Sequence, residues 1–119
     1  MNKVQALDNF WNGFGWDAYD ETDVPDNAQL PYITYEVTTD SFDNAVALSA
    51  SLWMQSSSWR DITVKSMEIE SYIGRGGKMV AYDGGAFWIT KGNPWSYRIQ
   101  DENKQIRRIG LNVLIEFID

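Results

Sequence analysis

Glu36 and Glu116 are the residues most suggestive of catalysis. In alternating runs each falls opposite the apolar side chains, and two carboxylates on one sheet face are the equipment of a glycosidase. One of them would have to be kept protonated by apolar burial, and nothing in the flanking residues demands that. Three other stretches invite chemistry. Gly74–Lys78 reads GRGGK, but a phosphate loop needs G-x-x-x-x-G-K-[ST] between strand and helix. Here Met79 follows Lys78 and the stretch follows a helical pattern, so it reads as a helix stop and a connection. The acids Asp17, Asp20, Glu21, Asp23 and Asp26 lack the sixth-position glycine and closing glutamate of an EF-hand, and read as a solvated acidic loop. Arg107 and Arg108 beside Trp88, Trp95 and Tyr97 suggest stacking on single-stranded nucleic acid. Adjacent strand residues point to opposite sides, however, so the two arginines make no common patch, and the aromatics read as core or interface.

The rest of the composition narrows the field further. The chain has no cysteine and no histidine, which removes disulfides, Cys/His zinc sites, thiol nucleophiles and imidazole bases. The expectation is a protein with no catalytic, cofactor-binding or metal-ligating residues. Ten basic against 17 acidic residues give a net charge of −7, which opposes tight binding to a phosphate backbone. No apolar run is long enough to span a membrane, and the N-terminal MNKVQALDNFW lacks the continuous apolar stretch of a signal peptide.

These residues need a scaffold, and 119 residues with 44% apolar content suffice for one domain, residues 1–119, with its own core. Val4, Leu7, Phe10, Trp11 and Phe14 recur at helical spacing, with Gly13 and Gly15 as the stop. Trp16–Pro31 carries acids and prolines and reads as loop. Strands are predicted over Tyr32–Thr38 and Ala45–Gln55, joined by a polar loop at Thr39–Asn44. Trp59, Ile62, Ser66, Ile69 and Ile73 form the stripe of a second helix, opened by a Ser58/Asp61 capping box and closed by Gly74. Met79–Tyr82 and Ala86–Thr90 flank Asp83-Gly84-Gly85, a tight hairpin. KGNPW breaks the pattern, and from Ile106 the chain alternates to its end. The order α-β-β-α-β-β-β predicts an α+β two-layer sandwich: a mainly antiparallel sheet of about five strands with two helices on one face.

The face opposite the helices carries Thr34, Glu36, Thr38, Ala47, Ser49, Ser51, Trp53, Gly110, Asn112, Leu114 and Glu116. Two of these eleven are charged, too few for a face that simply meets water and too polar for a buried one. Small neutral residues with a few large anchors suit close approach by another protein. The other reading is a face covered by this chain's own loops. Ser49, Ser51 and Trp53 are the candidates for packing between protomers. Asp40, Phe42, Asp43 and Asn44 are the candidates in the polar loop, where Phe42 would reach a neighbour.

The runs LPYITYEVTTDSFDNAVALSASLWMQSSSW, YIGRGGKMVAYDGGAFWITKGNPW and IRRIGLNVLIEF together resemble the tail terminator, or tail completion, proteins of long-tailed phages and prophages of Gram-positive bacteria. The resemblance spans nearly the whole chain and rests on no short chemical motif. It implies a structural virion protein made in the host cytoplasm: a homo-oligomer, usually a ring of six, at the head-proximal end of the tail, with some members monomeric in solution until they meet the tube. Such a ring meets the major tail tube protein on one side and the head–tail connector on the other. It stops tube polymerisation and lets DNA pass without specific binding. Another connector or minor tail component is the alternative, and a small cytosolic enzyme or ligand-binding domain is a third possibility.

Overall fold

The computed structural model describes residues 1–38 and 45–118. Helix α1 (Lys3–Trp11) leads through a 3-10 turn (Asn12–Phe14) into β1 (Asp17–Asp20). Then come β2 (Tyr32–Tyr35), β3 (Val46–Gln55), α2 (Arg60–Ile73), β4 (Lys78–Tyr82), β5 (Gly85–Ile99) and β6 (Ile106–Ile118). The strands form one sheet in the order β1-β2-β3-β6-β5-β4. The β1–β2 pair is parallel and the others are antiparallel.

The fold is α+β with two helices, as expected, but the sheet has six strands, is mixed and curls. The sixth strand is β1, inside the segment read as acidic loop. It pairs with β2 from Asp17↔Tyr32 to Asp20↔Tyr35. Strand β5 also runs past Thr90 through KGNPW. The pairing resumes because four residues, Gly92–Trp95, loop out opposite Asn112 between Lys91↔Val113 and Ser96↔Leu111. Asn112 donates to the Pro94 carbonyl at 2.9 Å, and a Cβ on Gly92 would stand 2.8 Å from that of Asn112.

Alternation sorts β3 and β6 cleanly. Leu48, Ala50, Leu52, Ile109, Leu111, Val113, Ile115 and Phe117 are buried against the helices together with Ile33, Phe87 and Ile89. Helix α2 contributes Ile62, Ser66, Ile69 and Ile73, the predicted stripe, and ends at Gly74 with φ 75°. Its start differs from expectation. The N-cap is Trp59 without a side-chain bond, and Ser58 Oγ accepts from the Arg60 amide, only two residues on. Helix α1 buries Ala6, Leu7, Phe10 and Trp11, whereas Val4 is exposed. Asn2 and Gln5 close a capping box at its start. GRGGK connects α2 to β4, and Gly77, at φ 91°, is required because a Cβ there would lie 2.7 Å from the Ile89 carbonyl oxygen.

Helix α1 touches both β1 and β4, the outermost strands. Nine residues of helix are about 14 Å long. The outer strands of a flat six-stranded sheet stand about 24 Å apart. One short helix reaches both because the sheet curls around it. At one end the Met1 carbonyl accepts from the Asp83 amide (2.7 Å). At the other, the Asn12 side chain binds both backbone groups of Ala18: Oδ1 accepts from the amide (2.9 Å) and Nδ2 donates to the carbonyl (3.3 Å). Between them, Trp11 stacks on Tyr35, whose hydroxyl donates to Asp8. Burial first, then the Asp8 hydrogen bond and the charges of Asp8 and Asp20, raise the Tyr35 phenol well above its ordinary value of 10.0.

Two outcomes follow. Asn12→Ala leaves the Ala18 amide without its partner and should cost about 1–3 kcal/mol in urea unfolding, with faster hydrogen exchange at Ala18. A group whose pKa is raised in the fold contributes stability below its unfolded pKa and loses it as pH rises through the folded value. Stability should therefore fall as pH climbs above 10, and Tyr35→Phe should fall less steeply between pH 9 and pH 11 when both are unfolded in urea.

Candidate interaction surface

On the helix-free side the register brings together Tyr19 and Thr34, Tyr32 and Trp53, Ser51 and Gly110, Ser49 and Asn112, and Ala47 and Leu114. Trp53 stands opposite Arg108, and Tyr97 opposite Gly110. The result is a cross-strand row in which Tyr19 meets Tyr32 edge-on at 5.8 Å and Tyr32 meets Trp53 at 6.3 Å. Arg108 lies 4.3 Å from the Trp53 ring centre, within the range of a cation–π contact.

Two hydrogen bonds pin this row flat. Trp53 Nε1 donates to Thr34 Oγ1 at 2.9 Å, and Arg108 Nε to Ser51 Oγ at 3.1 Å. Thr34 and Ser51 are consequently buried although no helix covers them. Gly110 is buried as well. A Cβ there would fall 2.4 Å from the Tyr97 ring, so the ring lies directly on the glycine backbone. The cover on this face is a layer of the chain's own flat side chains, while the acidic segment supplies an edge strand instead.

Among the candidates, Trp53 is half-buried in the centre of the row, and Ser51 lies beneath Arg108. Ser49 is half-buried at one end, where its amide donates to Glu36 Oε1 at 2.6 Å and its hydroxyl to the same oxygen. Asp40, Phe42, Asp43 and Asn44 lie outside the described residues. The two carboxylates do not form a catalytic pair: Glu36 is bound to Ser49, and Glu116 stands opposite Trp88 on the far side of β6. Arg107 and Arg108 diverge as expected. Arg107 stacks with Arg98 on Trp59 over the helix side, at 5.0 and 4.8 Å.

The row includes residues the sequence did not nominate. Tyr19 sat in a segment read as loop, and Tyr32 and Arg108 were not assigned to this face; Tyr97 reads as core or interface but lay beyond the expected end of β5. Gly110, alone in a strongly alternating strand, was the available signal, since such a glycine marks close approach by another group. Toward the other end Met79, Leu114 and Ile118 are exposed around Trp88, with the exposed carboxylate of Glu116 among them. A shallow concavity of about 470 Å³ lies at the bulge, lined by Ala47, Ser49, Gly92, Asn93, Asn112 and Leu114 among others.

No family model matches this chain, and no curated protein matches it. Among solved structures, the fold is similar to that of a chain in the virion of a native gene transfer agent particle, with a TM-score of 0.59 and 14% identity. The alignment covers 100% of this chain and 87% of that one.

Gly110→Ala should lift the Tyr97 ring and destabilise the protein by about 1–2 kcal/mol. Adding Tyr97→Ala should cost less than the sum of the two single changes, as a double-mutant unfolding cycle would measure.

Proposed function

We propose that this protein is a structural component of a virion tail, assembling as a ring at the head-proximal end that stops tube growth and presents a surface to the head connector. The observation that carries the reading is the fold shared along the whole chain with a virion component. The whole-chain resemblance to tail terminators supports the finer assignment, and three physical features agree with it.

The helix-free face has the composition of an interface core. It has a tryptophan and an arginine at the centre, small residues beside them, and exposed apolar side chains at Met79, Leu114 and Ile118 around the single carboxylate of Glu116. Its polar groups at Thr34 and Ser51 are already bonded within the chain, so covering the face does not strand them. Each copy carries −7, and a ring of such subunits repels the phosphate backbone and lets DNA slide through. In this reading Trp53 and Ser49 meet the neighbouring protomer, Ser51 acts by holding Arg108, and Asp40, Phe42, Asp43 and Asn44 extend the contact from the loop. The ring's partners are the tube protein and the connector, and its place is the finished particle. A neighbouring connector or minor tail role fits the same fold. It differs in one respect: it leaves tube length unchanged.

Deleting the gene separates the two. Over-long tube polymers in electron micrographs are expected, and tubes of normal length would overturn the terminator role. Complementation with Trp53→Arg should fail to restore normal length. That substitution sets a second guanidinium opposite Arg108, so the variant's circular dichroism should be checked to show that the monomer still folds.

A further inference from the structure

An open sheet leaves two strands with one unpartnered side each, and those sides accept further strands. Here they belong to β1 and β4, and the fold treats them differently. In β1 the Glu21 amide bonds across to the Tyr35 carbonyl, so by alternation Ala18 turns its own backbone groups outward. The Asn12 side chain takes both. Asp17 and Asp20 add charge at either end of the same strand. This edge is closed.

Among the described residues, strand β4 has no such cover at its centre. The two-residue Asp83-Gly84 loop closes on the pair Tyr82↔Gly85, which in a hairpin of this kind is hydrogen-bonded. Tyr82, Val80 and Lys78 therefore bond to β5, and Met79 and Ala81 direct their N–H and C=O outward. The open stretch stops at Asp83, whose amide is taken by Met1. Both Met79 and Ala81 have exposed side chains.

We infer that this edge pairs with β4 of a second copy, antiparallel, about a two-fold axis at Val80. The match is one of position, shape and charge. An axis at Val80 sets Met79 opposite Ala81 of the other copy twice over, so all the outward groups of these residues are bonded. On the helix-free face the long Met79, 52% exposed, covers the short Ala81. On the other face Val80 meets Val80, a favourable β-branched pair. Lys78 falls opposite Tyr82 of the second copy, and no like charges oppose, since the Asp83 carboxylate is held by the Met1 ammonium of its own chain. Opposite Asp83 comes Gly77, with no side chain to strike the Met1 segment. Joining β4 to β1 of another copy is opposed by the Asn12 brace. A two-fold contact closes at two copies, so this dimer is separate from any ring and covers the edge in the free protein.

The chain has no cysteine, so Val80→Cys carries the sole thiol. Cα atoms of a non-hydrogen-bonded antiparallel pair are about 4.5 Å apart, within disulfide reach. Light scattering of the wild type should show monomer passing to dimer as concentration rises, and oxidised Val80→Cys should run as a covalent dimer. Met79→Cys and Ala81→Cys, each offset from its own counterpart, should cross-link at least about tenfold more slowly. Ala81→Pro removes an outward donor without touching the β4–β5 ladder. It should weaken the dimer about tenfold or more with unchanged circular dichroism. A wild type that stays monomeric at every concentration, or cross-linking no faster at Val80 than at Met79, overturns the proposal. Should Val80→Cys fail to fold, a dimer unaffected by Ala81→Pro overturns it equally. Failure of the ring reading looks different: tubes of normal length in the deletion strain, with this dimer intact.

Discussion

The curl of the sheet around α1 is the constraint on which the rest depends. A nine-residue helix is anchored to the two outermost strands, by Met1 on the Asp83 amide and by Asn12 on both backbone groups of Ala18. Trp11, 1% exposed, fills the space between helix and sheet and stacks on Tyr35. Burial of a side chain that size is worth roughly 3 kcal/mol or more. With the concave side filled by α1 and α2, no element among the described residues is left to cover the convex side, and the chain covers part of it with its own rings.

That partial cover explains why the second face is neither charged nor apolar. Glu36 is held by Ser49, and Arg108 by Trp53 and Ser51. Tyr97 lies on the one residue in β6 that has no side chain. The flat layer is preorganised: Trp53 is bonded to Thr34 and Arg108 to Ser51 before any partner arrives, and the Tyr32 ring is held between Tyr19 and Trp53. A surface of this kind loses little conformational freedom on association.

Much of this was legible in the residues. The alternation of β3 and β6, the α2 stripe, the Gly74 stop and the Asp83-Gly84 hairpin each follow from a local rule, and all four stand in the structure. What escaped reading depended on distant partners. Strand β1 is acidic and four residues long, and it exists because β2 lies on one side and Asn12 on the other. The Ser58/Asp61 box did not form, since the helix begins at Arg60, too late for Asp61 to occupy the third turn position. Val4 had the spacing of a core residue, but the helix presents Ala6 and Leu7 to the sheet instead. The surface row was hidden for the same reason: two of its rings sit on strand segments that local pattern could not establish.

The four-to-one mismatch opposite Asn112 splits the long β5–β6 ladder into two stretches that keep count separately. A residue gained or lost among Gly92–Trp95 changes the size of the loop-out and leaves every inward and outward side chain beyond it in place. The outer hairpin, gripped by Trp59 between Arg98 and Arg107, can thus vary in reach or tilt from one related molecule to another without disturbing the inner sheet.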